Sequence, residues 1–280
     1  KMNKAKYIEI ATEKLNGRAL EIMIEQINKY FQYKDINIEK KKYNLGDMVF
    51  LPKGTLLHGT YQNINGLPTI VEEGLISNFF VDTGRVGKYP ACVGVWNLQE
   101  DYKLSEYIDF YSGGYFRGKG YENNYKKDIV LSYTELNNNL NKYIEDKKIF
   151  SWDIVQTKEA RYLPNITQDV SQIGIIYNSD NIYIKDLLKL DILDAKNIND
   201  KDVKDFVNSD YYDYFIKARL NKDIYFTNRE SAVLFGIPSN FIEGILVGRE
   251  YEEKPEILSR IKELLPNAYI CNLSGKVIVE

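Results

Sequence analysis

At 280 residues, with 44% hydrophobic and 28% charged side chains, the chain can bury one large domain or two small ones and shows no disordered or collagen-like bias. Lys and Arg total 37 against 40 Asp and Glu, a formal charge of −3, which excludes the basic excess of a dedicated duplex binder. Two cysteines without a CxxC pair exclude a cysteine-built zinc site and argue against a disulfide framework, and no apolar run approaches the roughly 20 residues of a membrane span. With no signal-peptide pattern, these features point to the cytoplasm or to delivery into a target cell. The abundance of Lys, Asn, Ile and Tyr reads as AT-rich bacterial or phage coding sequence.

In chain order, residues 4–33 read as helical, because Ile8, Ala11, Leu15, Ala19, Ile22, Met23, Ile27 and Phe31 recur mostly every three or four positions. Gly17 interrupts the run and suggests two helices. Residues 34–46 read as a polar connector, with Lys40-Lys41-Lys42 as solvated surface. Met48–Leu51 and Thr55–Leu57 read as strands separated by Pro52-Lys53-Gly54. Pro68–Glu73 reads as a short helix with Pro68 in its first turn and Gly74 at its end. Residues 91–96 read as a strand, 102–111 as a helix and the Gly-, Tyr- and Asn-rich 113–128 as a long loop. Ile173–Tyr177 reads as a buried strand and 199–219 as a helix capped by Asn199. At the end of the chain Val233–Phe235, Ile242–Val247 and Tyr269–Asn272 read as strands, with a helix over 255–264 that starts at Pro255. Short strands mixed with separate helices predict an α+β fold.

One histidine stands in the chain, and its setting is Leu56-Leu57-His58-Gly59-Thr60, followed by Ile70-Val71-Glu72-Glu73-Gly74-Leu75. Then come Gly84-Arg85-Val86-Gly87-Lys88-Tyr89, with Tyr89 31 positions after His58, and Leu104-Ser105-Glu106-Tyr107. Near the end lies Asn228-Arg229-Glu230-Ser231-Ala232-Val233-Leu234-Phe235, then Gly236-Ile237-Pro238. In order and spacing these segments resemble the His-Tyr-Glu class of poly(ADP-ribose) polymerase-like ADP-ribosyltransferases. The last segment and the strand after it resemble the DarT-type DNA ADP-ribosyltransferases, with one departure. There the glutamate directly precedes the apolar run, a position held here by Ala232, and Glu230 stands two residues earlier.

The resemblance implies an ADP-ribosyltransferase-like split β-sheet core with flanking helices over residues 46–280 and an N-terminal helical extension over residues 1–45. It implies NAD⁺ as a consumed substrate and no metal. His58 would hydrogen-bond a ribose hydroxyl, and the absence of a Cβ at Gly59 would let the nicotinamide carboxamide approach the backbone. Thr60, Arg85 and Ser105 would complete the NAD⁺ site, with Tyr89 stacked on the nicotinamide. Glu230 would stabilise the oxocarbenium-like centre formed as nicotinamide leaves. ADP-ribose would pass to a macromolecular acceptor, nucleic acid or protein. The toxin setting of DarT-type proteins leaves room for an antitoxin or immunity partner, and no membrane partner is implied.

Three other readings share these residues. NAD⁺ glycohydrolysis would use the same cleft with water as nucleophile. RNA 2′-phosphotransfer belongs to the same fold, but that family carries a second histidine soon after its Gly-Leu, and this chain has none. An inactive module that binds ADP-ribose or a protein would need no working carboxylate. Lys158–Tyr162 reads as a charged helix turn, and Gly113–Gly120 lacks the spacing and Lys-Ser/Thr ending of a phosphate loop.

Overall fold

A computed structural model describes residues 2–60, 63–81, 91–97, 102–103, 173–178, 180–190, 229–272 and 275–280. The N-terminal periodic stretch forms two helices, α1 (Lys4–Lys14) and α2 (Gly17–Tyr33). Asn3 caps α1 by accepting a hydrogen bond from the Lys6 amide at 2.9 Å. Gly17, the first residue of α2, takes a φ of +55°, a left-handed conformation that a residue without Cβ adopts without steric cost. The three- and four-residue spacing on α2 buries Ala19, Ile22, Met23, Gln26, Ile27, Tyr30 and Tyr33 on one face.

The strands are short. β1 (Phe50–Leu51) and β2 (Leu56–Thr60) precede α3 (Asn63–Glu73), and β3 (Leu75–Ile76), β4 (Cys92–Asn97), β5 (Tyr102–Lys103) and β6 (Ile173–Tyr177) follow. Helix α4 (Ile182–Leu187) runs into a tight turn at Leu188–Leu190. Then come β7 (Arg229–Leu234), β8 (Gly236–Ile237), β9 (Ile242–Val247), α5 (Arg249–Glu252), α6 (Pro255–Leu264), β10 (Tyr269–Cys271) and β11 (Val277–Val279).

Among the described residues seven strands make one sheet in the order β11-β10-β9-β6-β2-β4-β7. Only β9 and β10 run parallel in it, and α5 and α6 supply the crossover that a parallel pair requires. The pairs β1–β5 and β3–β8 stand outside it as two-stranded ladders. The described residues therefore form a mixed helix-and-sheet structure, as the strand and helix signals lead one to expect. No helix among them is long and apolar enough to cross a membrane.

Alternation along each strand gives the sheet two faces. Leu56, Val93, Val95, Ile175, Val233 and Ile245 enter a core with Leu67 of α3, Ile184 of α4 and Ile261 of α6. Cys92, Ala232 and Leu234 enter a second core with Tyr7, Ala11, Met23, Ile27 and Tyr30 of the N-terminal helices. Helices α1 and α2 are thus packed on residues of β4 and β7. At the other end of the sheet the connector covers the edge, the Gly46 amide donating to Val277 O and the Val49 amide to Gly275 O.

Two expectations need correction. The helix expected over Pro68–Glu73 starts at Asn63, so Pro68 lies inside it, where its nitrogen has no hydrogen to give the Ile64 carbonyl. Burial decides the extra turn, because Ile64, Leu67, Ile70 and Val71 all pack on the core. The helix expected over 102–111 starts instead as strand: Tyr102 and Lys103 pair with Leu51 and Phe50, and 104–111 lie outside the described residues. The loop expected over 113–128 and the helix over 199–219 also lie outside them.

Gly74 closes α3 with a φ of +84°, and a Cβ there would meet Tyr30 Oη and, at 2.8 Å, Ile237 O. Tyr30 Oη donates to Glu73 O, so the helix end and the tyrosine cannot easily part. Gly74→Ala should destabilise the fold by more than about 1 kcal/mol in urea unfolding, and an unchanged midpoint would refute the close approach. Asp186 of α4 accepts from Tyr33 Oη at 2.7 Å and pairs with Lys189 at 2.8 Å and Lys29 at 3.4 Å. Burial alone would raise its pKa, but the bonds from Lys189 and Tyr33 and the charge of Lys29 outweigh it and hold it at about 2. Its stabilising contribution is full above its ordinary 3.8 and is lost as pH falls through about 2. Asp186→Asn should therefore cost about 1–2 kcal/mol near neutrality, a difference that pH-dependent thermal melts should show closing towards pH 2.

Candidate active site

β2 carries His58, Gly59 and Thr60 in its second half. Along its full length it pairs with β6, from Leu56↔Tyr177 to Thr60↔Ile173. With β4 it pairs only at Leu56↔Asn97 and Leu57↔Trp96. Beyond Leu57 the contact between β2 and β4 changes character, for His58 Nδ1 lies 2.9 Å from the carbonyl oxygen of Gly94. A carbonyl only accepts, so Nδ1 carries the proton, and in the neutral ring Nε2 is the acceptor nitrogen. His58 and Gly59 are half-buried, while Thr60 is 6% exposed.

The direction of the Gly94 carbonyl fixes more than the histidine ring. In an antiparallel ladder the N–H and C=O of one residue point to the same neighbouring strand, and the next residue's point the opposite way. Gly94 O reaches β2, so Gly94 and Trp96 direct their peptide groups toward β2, and Leu57↔Trp96 is a hydrogen-bonded pair. Leu57 therefore faces β4 with its backbone, and so does Gly59 two residues later. The Gly59 N–H and C=O point to the β4 side past the last pair of that ladder. Side by side, they present one donor and one acceptor, the complement of a primary carboxamide.

Glu230 stands on β7, opposite Trp96, and Trp96 stands opposite Leu57. Glu230 is thus in the row next to that of His58 and on the next strand but one, about 10 Å away across two strand spacings. Two positions on, Ala232 pairs with Gly94. The β7 residue in the row of His58 is Ser231, paired with Val95. Ser231 is fully buried, and its Oγ accepts from Asn97 Nδ2 at 3.1 Å. Asn97 and Gly94 are residues that motif reading passed over. The available signal for Asn97 was Ser231, a hydroxyl placed among Ala232, Val233, Leu234 and Phe235, which must find a partner once buried. Gly94 had a signal too, a glycine inside an apolar strand where a close approach is commonly met.

Arg85, Tyr89 and Ser105 lie outside the described residues, as do Lys158–Tyr162 and Gly113–Gly120. The structure therefore gathers His58, Gly59 and Thr60 on one strand and sets Glu230 on the same sheet, at a register position on the face of Leu57 and Ala232, opposite to the face of His58. Among the described residues no group of three or more His, Cys, Asp or Glu side chains is placed to hold a metal ion. Compared with known proteins, the chain matches no family model, no curated protein and no solved structure.

Proposed function

We propose that the chain is an NAD⁺-dependent mono-ADP-ribosyltransferase built on an ADP-ribosyltransferase-like split sheet. The observation that carries the reading is the backbone of Gly59, whose N–H and C=O face the β4 side where its ladder with β2 has ended, one residue from the chain's sole histidine. A nicotinamide carboxamide docks there as a strand would, giving an N–H to the carbonyl and taking one from the amide. His58, with its ring fixed by the Gly94 carbonyl, offers Nε2 to a ribose hydroxyl. Tyr89 stacks on the pyridinium, and Thr60, Arg85 and Ser105 hold the rest of NAD⁺.

The reaction breaks the bond between ribose C1′ and the pyridinium nitrogen. The electron pair leaves with nitrogen, so neutral nicotinamide departs from an electron-poor C1′. Glu230 stabilises that centre with its negative charge and takes the proton of the attacking acceptor atom, which forms the new bond to C1′. The acceptor is a macromolecule, nucleic acid or protein. The net charge of −3 favours a short single-stranded segment over long duplex contacts if it is nucleic acid.

Nicotinamide release from NAD⁺ by purified protein, with and without oligonucleotides or lysate protein, tests the reading. Glu230→Gln should lower turnover by at least about 100-fold with an unchanged circular dichroism spectrum. His58→Ala should chiefly raise KM for NAD⁺, by about tenfold for one lost hydrogen bond. Full turnover in Glu230→Gln would remove that residue from the chemistry, and no release or NAD⁺ binding under any condition would overturn the proposal.

A further inference from the structure

Among the described residues four large apolar side chains are exposed, and three of them fall within six positions of one segment: Leu45 at 58%, Met48 at 55% and Phe50 at 46%. The segment runs along the outer edge of β11 and into β1. Bonds from Val49 N to Gly275 O and from Val277 N to Asp47 O flank the bridge between Met48 and Lys276. That bridge is therefore the close, non-hydrogen-bonded kind of antiparallel pair. Side chains alternate along the stretch: Val49 and Leu51 turn inward and are buried, while Met48 and Phe50 stand together on the outer face. A lone exposed apolar residue needs no explanation, but a cluster at a sheet edge does.

The charges around this cluster point to what covers it. From Lys40 to Leu57 the sequence carries four lysines, Lys40, Lys41, Lys42 and Lys53, against one acid, Asp47, in a chain whose formal charge is −3. The Asp47 carboxylate already accepts from the Asn44 amide at 2.8 Å. Opposite Met48, on the same face, stands the exposed Lys276, and its Cε lies 4.0 Å from where a Cβ on Gly46 would be. Lys41 and Lys42 are exposed just before Leu45. The face is thus apolar at its centre with a basic rim, on a molecule that is acidic as a whole.

We propose that this face docks an extended acidic segment of a partner protein, one with large apolar side chains between its carboxylates. Met48 and Phe50 stand two positions apart, the spacing of about 7 Å at which alternate side chains of an extended peptide recur. The carboxylates of the segment meet Lys41, Lys42 and Lys276 at the rim. A second copy of the chain fits poorly, because a two-fold contact would set these lysines against their own kind. A single-stranded nucleic acid would find one exposed aromatic ring in the cluster, Phe50, too few for a run of stacked bases. Three apolar side chains make a small contact, which suits a reversible partner rather than an obligate one. The proposal is independent of the transferase reading, since none of its residues lies on β2, β4 or β7.

Selection of a random-peptide display library on the full chain, without NAD⁺, tests it. We expect the enriched peptides to be acidic with large apolar residues, and their synthetic copies to bind more weakly as salt rises. Phe50→Ser should weaken a selected peptide by at least about tenfold. Lys276→Glu should weaken it by at least about fivefold and make its salt dependence shallower. Both positions are exposed, so both variants should keep the parent melting temperature, and Lys42→Glu serves if Phe50→Ser does not fold. Phosphatidylglycerol vesicles and oligothymidylate are titrated beside the peptides. Binding of either that outcompetes the peptides and is lost in the same variants would assign the face to a membrane or a nucleic acid and overturn the proposal. No enriched peptide, enrichment of basic or neutral peptides, or full affinity in the folded variants would overturn it as well. Nicotinamide release enters none of these readouts.

Discussion

β2 is paired with β6 over five residues and with β4 over two, and this inequality organises the sheet around the candidate active site. A strand held on both sides along its whole length has no backbone left for a ligand. A strand held on one side only would be an edge, open to pairing with another chain. β2 lies between these cases. Its first half is locked between neighbours, and its second half keeps one neighbour and turns a donor and an acceptor toward the other. The histidine that follows Leu57 spans the parting by bonding Gly94 O, so the same residue marks where the strands separate and limits how far they do.

β4 is held in turn by β7, through six pairs from Cys92↔Leu234 to Asn97↔Arg229. Behind them Cys92, Ala232 and Leu234 rest on α1 and α2. Helices that motif reading set aside as an extension are therefore part of the packing that supports the strand opposite the gap. Phe235 shows how tightly this corner is determined. It takes a φ of +68°, unusual for a bulky residue, and its ring meets those of Tyr7, Tyr30 and Phe80 edge-on at 5.0 Å each. Aromatic packing of that kind offsets a conformation that would otherwise be disfavoured.

What could be read from residues alone follows a physical line. The α1–α2 break at Gly17, the strands Ile173–Tyr177 and Ile242–Val247 and the helix at Pro255 all have strong local signals: periodicity, apolar runs and a proline at a helix start. α3 was half legible, because its C-terminal glycine is a local signal while its first turn is held by burial of Ile64 and Leu67. Of the two-residue strands, β1 falls in the apolar run Met48–Leu51 that reads as a strand, whereas β3, β5 and β8 carry no period and exist only through their partners. At the site, His58 and Gly59 stood out as a motif, but the parting of β2 from β4 is a property of two strands and of neither sequence. The same holds for the Asn97–Ser231 bond, whose ends are 134 positions apart.

The second core has a consequence for how the chain reaches this state. Tyr7 touches Phe235, and the connector after α2 pairs with β11 at the very end of the chain. Contacts spanning more than two hundred positions close last, because the loop between them must be ordered before they repay its entropy. A nascent chain therefore emerges with the apolar face of α1 and α2 coverable at first by Phe79, Phe80, Ala91 and Cys92, and the rest of that face waits for Ala232, Leu234 and Phe235. During synthesis that remainder stays exposed for most of the chain's length, the interval in which a chaperone or a binding partner would meet it.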